Sequence, residues 1–532
     1  GLACEPASGR NHAHIIGVVV SEITSEIITA ADVQAADALA YLAGDPNTKV
    51  ILLYLEGCRD GARMLEALEL ARRQSKPVVA IKLGRTDAGA KAAQSHTAAL
   101  AGSDAVFDAV FRQLGVYRAH NIEEFFDVGC ATAIGTYPPN NKVGIVTVSG
   151  GVGVLMADDA AMRGLEVEEL PKATQEKFLE LVPFAGVRNP LDVTGQIIND
   201  RTLLEKAITL VLSEADYGSL AVFQGASAAD PLIAENQLAA LGRVRKAFPD
   251  RLILVSGLLS PEFAKAVEAQ GMPAAREPTH NLRAIAALHR FATTFARPYD
   301  PPQVAPSSER LPAGSLNEID AMAALERIGV PVNRSRLART ADEAAVAAQA
   351  LGFPVVLKVV SADILHKTDV GGVKLRLADA AAVRAAFEDI MRVVPGHMPK
   401  AVIDGCLVAP MVAAGGVETI LGVTNDPVFG PVVMFGLGGV LVEALGDVAF
   451  RVAPFDEAEA HRMIREIRTF KVLEGLRGAP PSDIDAIAKA LSDLSRFAAA
   501  HRDQIVSVEA NPFLVRAKGQ GAVALDAVVV MK

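Results

Sequence analysis

The sequence has little aromatic content and no excess of positive charge, and these absences restrict the class of protein. Only 5% of the 532 residues are aromatic, whereas 51% are hydrophobic, so the core is built mainly from Ala, Val, Leu and Ile. Such a composition is typical of helices that alternate with buried parallel strands. The formal net charge of −10 argues against a nucleic-acid partner.

Cysteines are few, and long apolar runs are missing. The four cysteines show neither a CxxC pair nor a Cys/His ligand spacing, so neither a zinc site nor a disulfide framework is predicted. A reducing, cytoplasmic location is the simplest interpretation. No apolar run reaches the ~18 residues that a membrane span needs, so no membrane partner is expected. Residues 1–14 also lack the order of a signal peptide.

The length and the pattern along the chain predict about three domains. Strand-like and helix-like segments alternate over residues 1–137 and again over residues 138–296, which predicts two parallel α/β sheets. The first strand-like segment arrives almost at once, so the N-terminal part of the first domain is expected to be missing. A proline-rich stretch, residues 297–314, predicts a linker, and residues 315–532 form the third domain.

A loop of small residues carries a lone histidine, His96, after the predicted strand Val78–Leu83. Small residues let a ligand approach the imidazole, which can accept and release a phosphoryl group near neutral pH. Glu56 follows another predicted strand, Val50–Leu55, at the same edge of the sheet. Its carboxylate could hold one ring nitrogen of His96 and leave the other as nucleophile. A surface-loop histidine and a solvated carboxylate are the alternatives.

A glycine-rich turn separates the predicted strand Val143–Val148 from a predicted helix that runs from about Val154 to Arg163. Strand, turn and helix together indicate an anion site, because the free N–H groups of the turn point at the ligand. The motif is not GxGxxG, so a dinucleotide site is not expected, and a plain tight turn is the alternative. The residues of this turn are Ser149, Gly150, Gly151 and Gly153.

The third domain opens with a predicted helix whose N-cap is Asn317, and Lys358 then lies inside an apolar, strand-like run. An unpaired ammonium would be costly there, so an anionic partner is expected, for which a nucleotide phosphate is a good candidate. The alternative is an edge strand whose lysine reaches solvent. His366 lies in a loop that resembles the loop around His96, although a lone loop histidine is more often a plain surface residue.

Near the C-terminus, two predicted neighbouring strands end beside polar side chains. Val506–Glu509 leads into Asn511, and Val523–Leu525 leads into Asp526. Glu509, Asn511 and Asp526 are therefore predicted to lie side by side. Carboxylate and amide oxygens suit Mg²⁺, whereas ordinary turn residues at strand ends are the alternative.

Taken together, these motifs resemble the NDP-forming acyl-CoA synthetases, of the ADP-forming acetate–CoA ligase type within the succinyl-CoA synthetase superfamily. The resemblance covers nearly the whole chain. It implies two flavodoxin-like parallel-sheet domains followed by an ATP-grasp domain. It also implies reversible formation of acyl-CoA, ADP and phosphate from a carboxylic acid, CoA and ATP, through phosphohistidine and acyl-phosphate intermediates. It rests on the segments YLAGDPNTKVILLYLEG, SHTAALAGSD, SGGVG, LKVVSADILHKTDVGGVKL, DPVFGPVVMFGLGGVLVE and VEANPFLV.

The resemblance also implies a role for each candidate residue. His96 would be the phosphorylated nucleophile and Glu56 its orienting carboxylate, while His366 would carry phosphate between the two sites. The glycine-rich turn would cradle the phosphohistidine. The residues on the ATP or ADP would be Lys358, Val408, Ala409, Pro410, Met411 and Glu418, and those on Mg²⁺ would be Asn511, Asp526 and Glu509.

Two departures from the family pattern leave an alternative function open. Family members usually begin with a separate CoA-binding domain, and the segment Val20–Ile27 lacks the expected GNE sequence. The alternative is therefore a nucleotide-binding regulatory or assembly protein without net ligase activity. The resemblance further implies a homo-oligomer, commonly a dimer.

Overall fold

The computed structural model describes residues 16–20, 34–86, 103–361, 363–364, 367–412, 415–438, 446–476 and 478–532. The strands in chain order are β1 (Ile16–Val20), β2 (Val50–Leu55), β3 (Val78–Lys82), β4 (Tyr117–Arg118), β5 (Val143–Thr147), β6 (Leu191–Asp192), β7 (Ser219–Phe223), β8 (Leu252–Ser256), β9 (Ala274–Ala275), β10 (Gly314–Ser315), β11 (Arg336–Ala338), β12 (Val355–Val360), β13 (Val373–Leu377), β14 (Gly405–Pro410), β15 (Val417–Asp426), β16 (Gly430–Leu437), β17 (Val448–Val452), β18 (Ile505–Val515), β19 (Ala522–Ala524) and β20 (Ala527–Met531).

The helices in chain order are α1 (Ala35–Gly44), α2 (Gly61–Arg73), α3 (Asp104–Leu114), α4 (Ile122–Ile134), α5 (Gly150–Met162), α6 (Lys172–Leu181), α7 (Leu203–Glu214), α8 (Pro231–Ala247), α9 (Pro261–Ala269), α10 (Pro278–Phe295), α11 (Glu318–Arg327), α12 (Ala341–Leu351), α13 (Ala380–His397), α14 (Glu457–Arg465) and α15 (Ile484–Ala500). Within the described residues, none of these helices combines the length and the apolar character that a membrane span requires.

The chain divides into two compact units, and the first contains residues 1–101 and 114–299. This unit has two sheets whose strands all pair in parallel. Strand order is β1-β2-β3-β4 in one sheet and β6-β5-β7-β8-β9 in the other. Helices connect the strands, as parallel pairing requires.

Continuous apolar runs explain why these strands become buried on both faces. In β2, with the sequence VILLYL, every residue except Tyr54 is buried. Helix α10 packs against both sheets of the unit: Phe291 joins the core around Leu52, and Leu282 joins the core around Ile145. This one helix thus contributes side chains to the hydrophobic cores of both sheets.

The second unit contains residues 102–113 and 300–532 and is built on antiparallel pairing. A four-stranded sheet has the order β11-β14-β12-β13 and packs its core against α12 and α13. A larger sheet has the order β10-β20-β18-β15-β16-β17, with β19 paired to β18, and packs against α11, α14 and α15. Asn317 is the N-cap of α11, as predicted, and its side chain accepts a hydrogen bond from the N–H of Asp320 at 3.0 Å.

Helix α3 belongs to this second unit, although it precedes most of the first unit in sequence. Strand β17 ends the larger sheet, and an edge strand leaves backbone groups unpaired. The side-chain amide of Gln113 satisfies two of them, since its Nε2 donates to the oxygen of Val452 and its Oε1 accepts from the nitrogen of Val452, both at 3.0 Å. The ring of Phe107 lies 4.9 Å from that of Phe429.

The proline-rich stretch is fixed at several points. Tyr299 donates from its hydroxyl to Glu69 at 3.0 Å, and its ring lies 4.0 Å from the guanidinium carbon of Arg72. Further along, the backbone N–H of Ser307 donates to Ala500, and that of Leu311 donates to the Gln504 side chain. Residues 300–313 form neither helix nor strand.

Candidate active site

Glu56 lies at the carboxyl edge of the first sheet, directly after β2. Strands β2 and β3 are adjacent and parallel, and the N–H of Leu83 donates to the oxygen of Leu55 at 2.9 Å. The chain therefore leaves β3 beside Glu56 on its way to residues 87–102. His96 falls in that stretch and His366 in another, and both lie outside the described residues, so their roles stay predictions.

Helix α5 begins four residues earlier than the sequence pattern predicts. Ser149 is the N-cap, and Gly150 is already helical, so the predicted start at Val154 is wrong. Glycine is a poor helix former, which is why the pattern placed these residues in a turn. The hydroxyl of Thr147 accepts from the N–H of Ser149 at 3.0 Å and fixes the entry to the helix. The N–H groups of the first turn have no partner within the helix and form a positive end.

The glycines of this helix differ in what a side chain would meet. A Cβ at Gly153 would lie 3.0 Å from the side chains of Pro190 and Thr147, so close packing accounts for this glycine. A Cβ at Gly150 would lie 3.1 Å from a carboxylate oxygen of Asp192. A Cβ at Gly151 would meet no atom within 4 Å. Packing therefore does not require glycine at position 151, and the space beside it is open to a ligand.

A cavity of about 800 Å³ in the second unit brings together most of the predicted nucleotide and metal residues. Its walls come from both antiparallel sheets. Val408, in contrast, packs in the core of the smaller sheet, and Ala409 is also buried. The predicted residues that line the cavity are Lys358, Pro410, Met411, Glu418, Asn511 and Asp526.

Lys358 lies on β12, which is an inner strand between β14 and β13. The alternative of a lysine on an edge strand is therefore wrong. Its Nζ donates to Glu318 Oε1 at 3.0 Å, to the oxygen of Leu525 at 2.7 Å and to Asp526 Oδ2 at 3.3 Å. The chain itself thus supplies anionic partners for this lysine, and the sequence pattern did not identify Glu318 as one of them.

Lys367 is a second lysine in the cavity, and it was missed in the sequence although it directly follows His366. Its Nζ lies 2.8 Å from Glu318 Oε2 and 3.3 Å from both carboxylate oxygens of Asp526. Burial by itself lowers the pKa of Lys367, but the carboxylates of Glu318 and Asp526 outweigh it and raise the pKa above its ordinary value. Lys367 is therefore protonated at neutral pH.

The predicted metal ligands lie close together, although not in the predicted local structure. Glu509 and Asn511 are inside β18 rather than after its end, on the same exposed face, so the alternative of strand-end turn residues is wrong for them. Asn511 Nδ2 donates to Glu509 Oε1 at 3.0 Å. The backbone N–H of Asn511 donates to the backbone carbonyl oxygen of Asp526 at 3.2 Å. Asp526 lies in the turn between β19 and β20. Hard oxygen donors of this kind fit Mg²⁺.

Models of known families match three segments of the chain. A succinyl-CoA ligase-like flavodoxin domain matches residues 18–132, a Ligase-CoA domain matches residues 143–253, and an ATP-grasp domain matches residues 309–531. The fold and the cavity therefore define a CoA ligase that uses an ATP-grasp domain. The predicted fold class, two flavodoxin-like domains followed by ATP-grasp, is confirmed.

Three curated relatives match over most of their own length. ADP-forming acetate–CoA ligase I of Archaeoglobus fulgidus is 36% identical over 531 residues, covering 95% of this chain and 74% of the relative. ADP-forming 4-hydroxybutyrate–CoA ligase of Nitrosopumilus maritimus is 33% identical over 515 residues, covering 92% of this chain and 71% of the relative. ADP-forming acetate–CoA ligase of Methanocaldococcus jannaschii is 31% identical over 540 residues, covering 97% and 75%.

The chain belongs to the family of ADP-forming acyl-CoA ligases, enzymes that form carbon–sulfur bonds. Enzymes of this family use ATP or ADP with Mg²⁺, and CoA as co-substrate. The resemblance stated from the sequence is confirmed. Because the Ligase-CoA domain model matches residues 143–253, the alternative of a regulatory protein without ligase activity is not favoured.

Proposed function

We propose that this enzyme converts a carboxylic acid, CoA and ATP to acyl-CoA, ADP and phosphate, and that the reaction is reversible. The γ-phosphoryl group of ATP passes to a ring nitrogen of His96 and then to a carboxylate oxygen, which gives an acyl phosphate. The CoA thiolate attacks the acyl carbon, and phosphate leaves. The observation that carries this proposal is the cavity of the second unit, where two lysines and two of the predicted metal ligands, Asn511 and Asp526, line one space.

Within that cavity, the side chains divide into groups for phosphate, nucleotide and metal. Lys358 and Lys367 present ammonium groups for the phosphates. Asn511 and Asp526 would hold Mg²⁺, with Glu509 as a helper through its contact with Asn511. Mg²⁺ in this position would neutralise charge on the transferring phosphoryl group. Pro410, Met411 and Glu418 would contact the rest of the nucleotide.

In the first unit, we propose that Glu56 orients His96 and that the start of α5 binds the phosphorylated imidazole. The adjacency of Glu56 to the chain leaving β3 supports the first part. The helix N-terminus, with open space at Gly151, supports the second. His366 would carry phosphate between the nucleotide and His96, since in-line transfer requires contact between donor and acceptor.

The decisive experiment is a panel of carboxylic acids assayed with ATP, Mg²⁺ and CoA. The relatives are named for acetate and for 4-hydroxybutyrate, so the panel includes short, hydroxylated, branched and aromatic acids. We expect at least one acid to give acyl-CoA together with equimolar ADP. Binding of ATP without acid-dependent ADP release would contradict the proposal. We also propose that the enzyme is a cytoplasmic homodimer. Native mass measurement tests the dimer, and cell fractionation tests the location.

Replacing Gly151 with alanine is expected to slow acyl-CoA formation about tenfold, because the added methyl group enters the space proposed for the phosphorylated imidazole. The fold has room for this group, and alanine is a better helix former, so the melting temperature is expected to stay equal or rise. Steady-state acyl-CoA formation and thermal unfolding measure the two effects.

Gly44→Ala is the matched control, because a Cβ there also meets no atom within 4 Å and the position ends a different helix, α1. It is expected to leave turnover unchanged. Equal turnover in the two variants would show that the start of α5 does not bind the phosphorylated group.

A further inference from the structure

Glu318 lies behind the two lysines of the cavity and contacts both of them. It is in the first turn of α11, and its side chain is only 2% exposed. One carboxylate oxygen accepts from Lys358 at 3.0 Å, and the other lies 2.8 Å from the ammonium nitrogen of Lys367. The two lysines are thus held by the two oxygens of one buried carboxylate.

The partners of each lysine show which direction is left for a ligand. An ammonium group has three N–H donors. Lys358 directs one to Glu318 and one to the carbonyl of Leu525, and only its third partner, Asp526, is also a proposed metal ligand. Lys367 likewise divides its contacts between Glu318 and Asp526. Glu318 would remain a partner of both lysines if Asp526 bound a metal ion.

We propose that Glu318 is a positioning residue, which holds the ammonium groups of Lys358 and Lys367 together so that both face the phosphates of a bound nucleotide. The proposal rests on the function proposed for this cavity. A lysine side chain is long and flexible, and ordering it costs conformational entropy. A buried carboxylate that fixes two lysines in the folded protein removes much of that cost from nucleotide binding.

The same contact fixes the residue next to His366. Lys367 forms ion pairs with Glu318 and Asp526, which come from α11 and from the turn before β20. Whatever position His366 takes, its chain neighbour on the C-terminal side is held at the cavity. Through the two lysines, Glu318 would therefore affect both the binding of the nucleotide phosphates and the position of the residue next to His366.

The test is the affinity for ADP, measured by titration calorimetry on the full chain without acid or CoA, so that no turnover occurs. Glu318→Gln keeps the shape of the side chain but loses its charge, and we expect it to weaken ADP binding about tenfold. Glu326→Gln is the control, since Glu326 lies on the same helix and is exposed. A purely structural Glu318 would lower the melting temperature and leave the ADP affinity unchanged, which would overturn the proposal.

A double-mutant cycle shows whether Glu318 acts through the lysines. Lys367→Met alone is expected to weaken ADP binding, and in its background the effect of Glu318→Gln is expected to fall to half or less on a logarithmic scale. Equal effects in both backgrounds would overturn the proposal. If Glu318→Gln does not fold, an unchanged ADP affinity in Lys367→Met would overturn the proposal. Absence of ADP binding by the unmodified enzyme would instead refute the proposed function.

Discussion

Replacing His96 with alanine is expected to abolish acyl-CoA formation, lowering turnover by about a thousandfold or more. In the proposed reaction every phosphoryl group passes through this imidazole, so its loss removes a covalent intermediate and not merely a favourable contact. Rapid mixing with ATP labelled in the γ-phosphate, followed by alkaline work-up, measures the phosphorylated enzyme. Coupled ADP release with acid and CoA measures the whole reaction.

His397→Ala is the control for this experiment, because His397 is exposed in the last turn of α13. This variant is expected to be phosphorylated by ATP, and to form acyl-CoA, at the same rates as the unmodified enzyme. Normal acyl-CoA formation by His96→Ala would show that another residue is the nucleophile. The assignments of Glu56 and of the α5 N-terminus would then lose their chemical basis as well.

The parallel sheets of the first unit could be predicted from sequence because their strands are nearly continuous apolar runs. A strand such as β2, buried on both faces, has no polar alternation to obscure it. Adjacent strand ends then follow from the parallel topology, which is how Glu56 and the start of the His96 loop were placed at one edge. Local pattern and global topology agree here.

The start of α5 shows where local propensity misleads. Consecutive glycines disfavour a helix, yet Gly150 is helical and Gly153 packs against Pro190. The tertiary contacts of the following apolar residues, including Met156 in the core, impose the helix on its glycine-rich first turn. A site that requires open backbone N–H groups and little side-chain volume departs from propensity in this way.

The ion-pair network of the second unit could not be predicted from sequence spacing. Glu318 precedes Lys358 by 40 residues, and Asp526 follows it by 168. Only the folding of α11 and of the β19–β20 turn against β12 brings these charges together. The sequence indicated that a buried lysine needs an anion, but the identity of that anion depends on contacts between elements that are distant along the chain.

Replacing Lys358 with methionine is expected to lower kcat/KM for ATP by about 10²- to 10³-fold, because in the proposed reaction its ammonium group stabilises the charge of the transferring phosphoryl group. Methionine retains most of the apolar stem, and Glu318 keeps Lys367 as its partner, so the variant is expected to fold. ADP release at several ATP concentrations separates the effect on kcat from the effect on KM.

Lys374→Met supplies a matched control from the neighbouring strand. Lys374 lies on β13, pairs in register with Leu357, and forms an ion pair with Asp389 at 2.6 Å with its side chain 34% exposed. An exposed ion pair of this kind contributes little, so turnover is expected within about twofold of the unmodified enzyme. Equal losses in both variants would mean that the charge of the whole sheet matters, not the ammonium of Lys358. Full activity of Lys358→Met would show that turnover does not depend on this ammonium group. The role proposed for Lys358 in binding the nucleotide phosphates would then be wrong.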